Sequence, residues 1–225
     1  VRASLPERIA NEEIETLTIL EESSTWPQLS NVDEKLLLTP LVEDFRLPVT
    51  AMINFLDVDA GGPQYFKERN LLRLPEAKSI SQSYGTAIHS ALEYAMILTN
   101  RGKFDLDDIT TKFEDALIKE HVPAHEFERY HTQGQRLLWT LFETNRYELP
   151  QGSLSEQSLN YILPGGAQLG GKLDRVDTQD KSNLVIVDYK TGNGLSSFST
   201  QNKNLMVKAW KHKTQLIFYA LLTSL

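Results

Sequence analysis

Up to about residue 150 the apolar residues recur mostly at helical spacing, and beyond it they gather into strand-like runs. Residues 7–20, ERIANEEIETLTIL, place Ile9, Ile14, Leu17 and Ile19 at roughly helical intervals, with acids early in the run. EESSTWPQLS then reads as a linker, VTAMINFLDV (49–58) as a helix, and DAGGP (59–63) as a break rich in turn residues. From Gly85, GTAIHSALEYAMILT puts Ile88, Ala91, Leu92, Ala95 and Leu98 on one helical face. Helices are predicted over 106–120 and 124–144, and Pro150 and Gly152 close this helical half. Three strands follow, over 158–164, 167–178 and 184–190, joined by a Gly165–Gly166 turn and a polar QDKSN turn. A last helix spans about 203–222. This order predicts an α/β fold, a mixed central sheet flanked by helices.

Composition narrows the picture. The chain has 225 residues, 40% hydrophobic and 24% charged, as in an ordinary globular protein, and contains no apolar run long enough for a membrane span. No leader with a charged and then an apolar part precedes the first helix, and the chain opens on Val1, as a fragment of a longer protein would. Cysteine is absent, which excludes disulfides, thiolate zinc sites and iron–sulfur clusters and suits a cytoplasmic location. The net charge of −7 argues against a nucleic-acid partner until it is mapped along the chain. Residues 1–50 hold ten acids against four bases, so the rest of the chain is close to neutral.

The chemistry concentrates in GGKLDRVDTQDKSNLVIVDYKTG, residues 170–192. Residues i and i+2 of a strand share a face, so Asp188 and Lys190 are expected to point one way and Tyr189 the other. The apolar run LVIV predicts a strand buried on both sides, and a carboxylate and an ammonium at its end need solvent, a metal or each other. If strand 167–178 pairs antiparallel with it, Asp174 reaches the same edge. Two carboxylates and a lysine then converge, a set able to hold Mg²⁺ against a phosphate and to serve an attacking water.

The spacing D-x(13)-D-x-K, from strand to strand and followed by Thr-Gly, resembles the PD-(D/E)XK nuclease superfamily, in particular its RecB-like branch. GGKLDRVD is similar to that branch's G-x-(I/L)-D-R-(I/V)-D segment. The resemblance covers roughly residues 45–222. It implies a Mg²⁺- or Mn²⁺-dependent deoxyribonuclease, an exonuclease, in which His89 of GTAIHSALE, Asp174, Asp188 and the Tyr189 carbonyl bind metal. Lys190 would serve the water and the transition state. Gln215 and Tyr219 match the family's Q-x-x-x-Y motif, one helical turn apart, and would shape the site. Glu156 stands where the family often has a further acid. The implied organisation is an acidic lead-in over 1–45 and a nuclease domain over 46–225. The family's C-P-x-x-(F/Y) segment appears without its cysteine, as Gly62, Pro63, Gln64, Tyr65 and Phe66. A further strand is expected after the last helix, where the sequence stops.

Between Lys203 and Gln215 the chain carries Lys203, Lys208, Lys211 and Lys213 with no acid, together with Trp210. Such a run can follow a DNA backbone while the indole stacks on a base. His121, His125 and His131 do not share a helical face and read as solvated. RecB-like domains often accompany UvrD-type helicase motors in DNA repair and recombination, so motor domains in the same chain or complex are an implied partner. This chain has no G-x-x-x-x-G-K-(S/T) loop and is not expected to hydrolyse ATP. Two other readings stay open: an inactive nuclease fold that grips DNA ends, and a domain that only docks onto a helicase.

Overall fold

A computed structural model describes residues 34–143, 148–178, 183–195, 197–199 and 201–225. The chain divides into two compact units, Val1–Glu43 and Asp44–Leu225. The helix expected over 7–20 lies outside the described residues. In the first unit the structure describes α1 (Glu34–Glu43), which contains Pro40 and buries none of its residues.

The second unit runs β1 (Arg46–Leu47), α2 (Val49–Leu56), a 3₁₀ turn (Val58–Ala60), α3 (Gly62–Phe66), a π turn (Lys67–Leu71), α4 (Ile80–Asn100), α5 (Leu106–Lys119), α6 (Ala124–Glu143), β2 (Leu154–Ile162), β3 (Gln168–Thr178), β4 (Leu184–Val187) and α7 (Lys203–Ser224). This is the mixed sheet with flanking helices that the hydrophobic pattern predicts. No described helix is long and apolar enough to cross a membrane.

α4 starts at a capping box. The Gln82 amide donates to Ser79 Oγ at 3.3 Å, and the Ser79 amide donates to Gln82 Oε1 at 2.8 Å. The predicted apolar face of this helix, Ile88, Ala91, Leu92, Ala95 and Leu98, is buried throughout. It packs with Ile109, Phe113 and Leu117 of α5 and Leu138 of α6. Gly134 of α6 makes that approach possible, because a Cβ there would lie 2.1 Å from the Phe113 ring. The helical layer fixes α4, and α4 carries His89.

The sheet is organised around β3. β2 pairs antiparallel along one edge, from Leu154↔Val176 to Ile162↔Gln168. The other edge is shared: β1 pairs parallel at residues 168–169, and β4 pairs antiparallel at residues 175–178. The β3 edge between them, including Asp174, carries no strand among the described residues. α7 covers the sheet through Phe218, Tyr219 and Leu222, which bury against Leu169 and Leu173. Gly171 eases its approach, since a Cβ there would stand 2.7 Å from Leu222 Cδ1 and that side chain would have to shift. Full burial of such apolar side chains contributes about 1.5–3 kcal/mol each.

Several expectations are corrected here. β4 ends at Val187 instead of 190, since the Tyr189 amide leaves the ladder to donate to the Asp174 carboxylate at 2.7 Å. It is also not buried on both sides: Leu184 is exposed and the next three residues are half-buried, because β4 is a four-residue strand paired with β3 at one end of that strand. The two-residue strand β1 was not predicted. His131 is not solvated either: its ring stacks between Phe113 and Phe127, with Glu114 Oε2 3.4 Å from Nε2.

Candidate metal-dependent active site

The gap in the β3 edge opens onto a cleft of about 770 Å³. α4 supplies one wall with Gln82, Gly85, Thr86 and His89. β2 and β3 supply Glu156 and Asp174, the segment after β4 supplies Asp188, Tyr189 and Lys190, and α7 supplies Gln215 and Tyr219. Every catalytic and metal-binding residue expected from the sequence therefore meets here.

Asp174 is the hub. Its Oδ1 lies 3.6 Å from His89 Nδ1, and its Oδ2 accepts the Tyr189 amide. The other imidazole nitrogen, Nε2, is 3.2 Å from the Tyr189 carbonyl, to which it donates. One residue of the β4 extension thus bonds both members of the His–Asp pair through its backbone. Asp188 is held differently. Its Oδ2 pairs with Lys190 Nζ at 2.5 Å, and its Oδ1 accepts from Gln215 Nε2 at 2.8 Å. Gln215 also donates to the Tyr219 hydroxyl at 2.9 Å, which locks the amide in place.

These surroundings drive the two aspartates in opposite directions. Burial raises the Asp174 carboxyl, but the His89 bond, the Tyr189 amide and the charge of Lys190 together outweigh it and leave the group below its ordinary value. Asp188 stands above its ordinary value, because burial outweighs Lys190 and the negative charge of Asp174 adds to it. His89 is raised by its bond to Asp174 despite partial burial. Burial also raises Tyr219, against the opposing bond from Gln215.

Glu156 is the residue the sequence marked most weakly. In register it stands opposite Asp174, yet the ladder skips that pair while Ser155↔Arg175 and Gln157↔Leu173 flank it. The cause is a left-handed backbone at Glu156, φ 54°, which costs a residue with a Cβ about 1–2 kcal/mol. The turn brings its carboxylate beside the cleft, where ligand atoms of His89, Glu156 and Asp174 all lie within 4.8 Å of one another. Asp188, with both oxygens engaged, is not in this group. One imidazole and two carboxylates, with a backbone carbonyl beside them, form a donor set suited to a hard divalent cation such as Mg²⁺ or Mn²⁺. The residues fit the metal that the resemblance implies.

The basic run behaves otherwise. None of Lys203, Lys208, Trp210, Lys211 and Lys213 lines the cleft. Lys203 pairs with Asp59 at 3.1 Å, and Lys211 pairs with buried Asp57 at 2.6 Å. Lys208 donates to the Asn193 carbonyl. Trp210 and Lys213 line a separate groove with Phe198 and Met206. Lys78, Ser81 and Gln82 also line the cleft and belong to none of the sequence motifs, while Thr86 lies within GTAIHSALE beside His89.

A cleft that gathers paired carboxylates, an imidazole and a lysine where a mixed sheet opens is the kind of centre a nuclease fold carries. The family model of the PD-(D/E)XK nuclease superfamily matches residues 62–225, and the chain belongs to that superfamily. No curated protein and no solved structure matches the chain.

Proposed function

We propose that this domain hydrolyses phosphodiester bonds of DNA with Mg²⁺ or Mn²⁺. The reading rests on one observation above all: His89, Glu156 and Asp174 converge within 4.8 Å in the cleft that also holds the Asp188–Lys190 pair. His89, Glu156 and Asp174, with Asp188 and the Tyr189 carbonyl beside them, would hold the metal. When bound, the cation supplies Lewis-acid neutralisation of phosphate charge and a more acidic water.

The remaining work falls to the chain's own groups. Lys190 offers an ammonium beside the scissile phosphate, where it orients the attacking water and offsets developing negative charge. Gln215 fixes the plane of the Asp188 carboxylate, so that Lys190 is held by a carboxylate that does not rotate. Tyr219 closes the far end of that chain of hydrogen bonds. The Tyr189 backbone holds both His89, through Nε2, and Asp174, through Oδ2, which would leave Nδ1 and Oδ1 to the metal.

Exonuclease action, a helicase motor as partner, a place in DNA repair or recombination, a cytoplasmic location and a domain boundary near residue 45 extend this reading from the RecB-like resemblance. Trp210 and Lys213 are its candidates for contact with DNA outside the cleft. The test is cleavage of labelled single- and double-stranded DNA with Mn²⁺, Mg²⁺ or EDTA, beside Asp188→Ala and Lys190→Ala. Metal-dependent cleavage that both substitutions abolish is the expected result. Binding without cleavage, unchanged by metal or by Asp188→Ala, would replace it with the DNA-gripping reading.

A further inference from the structure

Lys172 lies two residues before Asp174 on β3, so the two side chains leave the strand on the same face. Its ammonium is bonded to the Glu156 carboxylate, the strained member of the metal-capable group. The lysine side chain is 60% exposed and that of Glu156 only 18%. Glu156 therefore sits at the site with a cation already on it, supplied by a side chain free to withdraw into solvent. A divalent ion that takes Glu156 as ligand must compete with that ammonium for the same carboxylate.

We propose that Lys172 is a tethered counter-cation: it occupies the Glu156 carboxylate when no metal is bound and yields it on metal binding. The inference rests on the metal-dependent reading above. Its consequence is a site with deliberately weakened affinity, filled only above a set metal concentration. The exchange also releases the Lys172 ammonium beside Glu156, where a phosphate can take it. The strain at Glu156 suits this arrangement, because Lys172 compensates the left-handed backbone before metal arrives and the metal compensates it afterwards. A mere structural salt bridge would predict the opposite effect on affinity, since its loss would let Glu156 drift from the site.

The experiment is calorimetric titration of Mn²⁺ into the full chain, native and carrying Lys172→Met, Lys172→Arg, Glu156→Gln or Glu156→Gln with Lys172→Met, in the absence of DNA. Lys172→Met keeps the apolar stem and removes the charge, and should bind Mn²⁺ about three- to tenfold more tightly. Lys172→Arg should restore near-native affinity. In the Glu156→Gln background the gain from Lys172→Met should shrink below about twofold, because the lysine then has no carboxylate to withhold. Unchanged or weaker binding by Lys172→Met would overturn the proposal, as would a gain that survives intact in Glu156→Gln. Absence of Mn²⁺ binding by the native chain would overturn the metal-dependent reading itself and this proposal with it.

Discussion

Two clusters of charge share β3 and are built on different plans. Asp174 faces the cleft, and its partners come from α4 and from the segment after β4. Arg175 and Asp177, on the opposite face by strand alternation, form a pair at 2.7 Å within the strand, with side chains only 8% and 10% exposed. Arg175 also donates to the Glu148 carbonyl at 3.3 Å. The closed pair is made within one strand, backed by a backbone carbonyl, and shuts out solvent; the cleft cluster assembles side chains from several elements and stays open. One segment, DRVD, contains both, so the residue types alone do not say which acid is chemical. Where the partners come from, and whether a ligand could enter, does.

The largest expected effect separates the two directly. Asp174→Asn should lower metal-dependent DNA cleavage by about 10²–10⁴-fold, with circular dichroism still native, since the hub of the cleft is lost but no buried charge is stranded. Asp177→Ala should do the reverse. It removes a charge-assisted hydrogen bond from a buried pair and should cost about 1.5–3 kcal/mol in urea unfolding, with Mn²⁺ affinity within about twofold of native in the folded protein. A further step from the cleft, Gly134→Ala drives a Cβ into the Phe113 ring and should cost about 1–3 kcal/mol, again without moving Mn²⁺ affinity.

The smallest effect concerns a pair remote from both clusters. The Lys211 bond holds Asp57 below its ordinary value of 3.8, against a smaller opposing effect of burial. A carboxylate depressed in the folded state contributes stability above its unfolded value and loses it as pH falls through the folded value. Lys211→Met should therefore cost up to about 1 kcal/mol at pH 6, a modest figure because Lys211 is 40% exposed, and the gap to native should close as pH drops below 3.8. Urea unfolding of the two proteins at pH 6 and at pH 3 measures it.

Much of the fold was legible because its signals are local. The apolar stripe of α4 and the alternation of β2 and β3 are written in neighbouring residues, as is the Gly165–Gly166 turn, where both glycines adopt positive φ. β1 was not legible, since two residues carry no period. The residues after β4 fit a strand pattern, and the ladder stops there as a side chain, Asp174, captures the Tyr189 amide. The cleft residues were found through the order of their motifs; nothing in GTAIHSALE alone marks His89 as facing Asp174. Glu156 stayed faint because its left-handed backbone is imposed by tertiary context. The basic run misled for a related reason: Asp57 and Asp59, about 150 residues away in sequence, occupy two of its lysines, and pairing at that range has no local signature.

The contrast between the two ends of DRVD is tested most directly by locating a metal. Crystals of the protein soaked in Mn²⁺ and measured by anomalous diffraction should give a peak among His89, Glu156 and Asp174, and none at Asp177. A cleft without Mn²⁺ density, or a peak that avoids Asp174, would contradict the assignment of this centre.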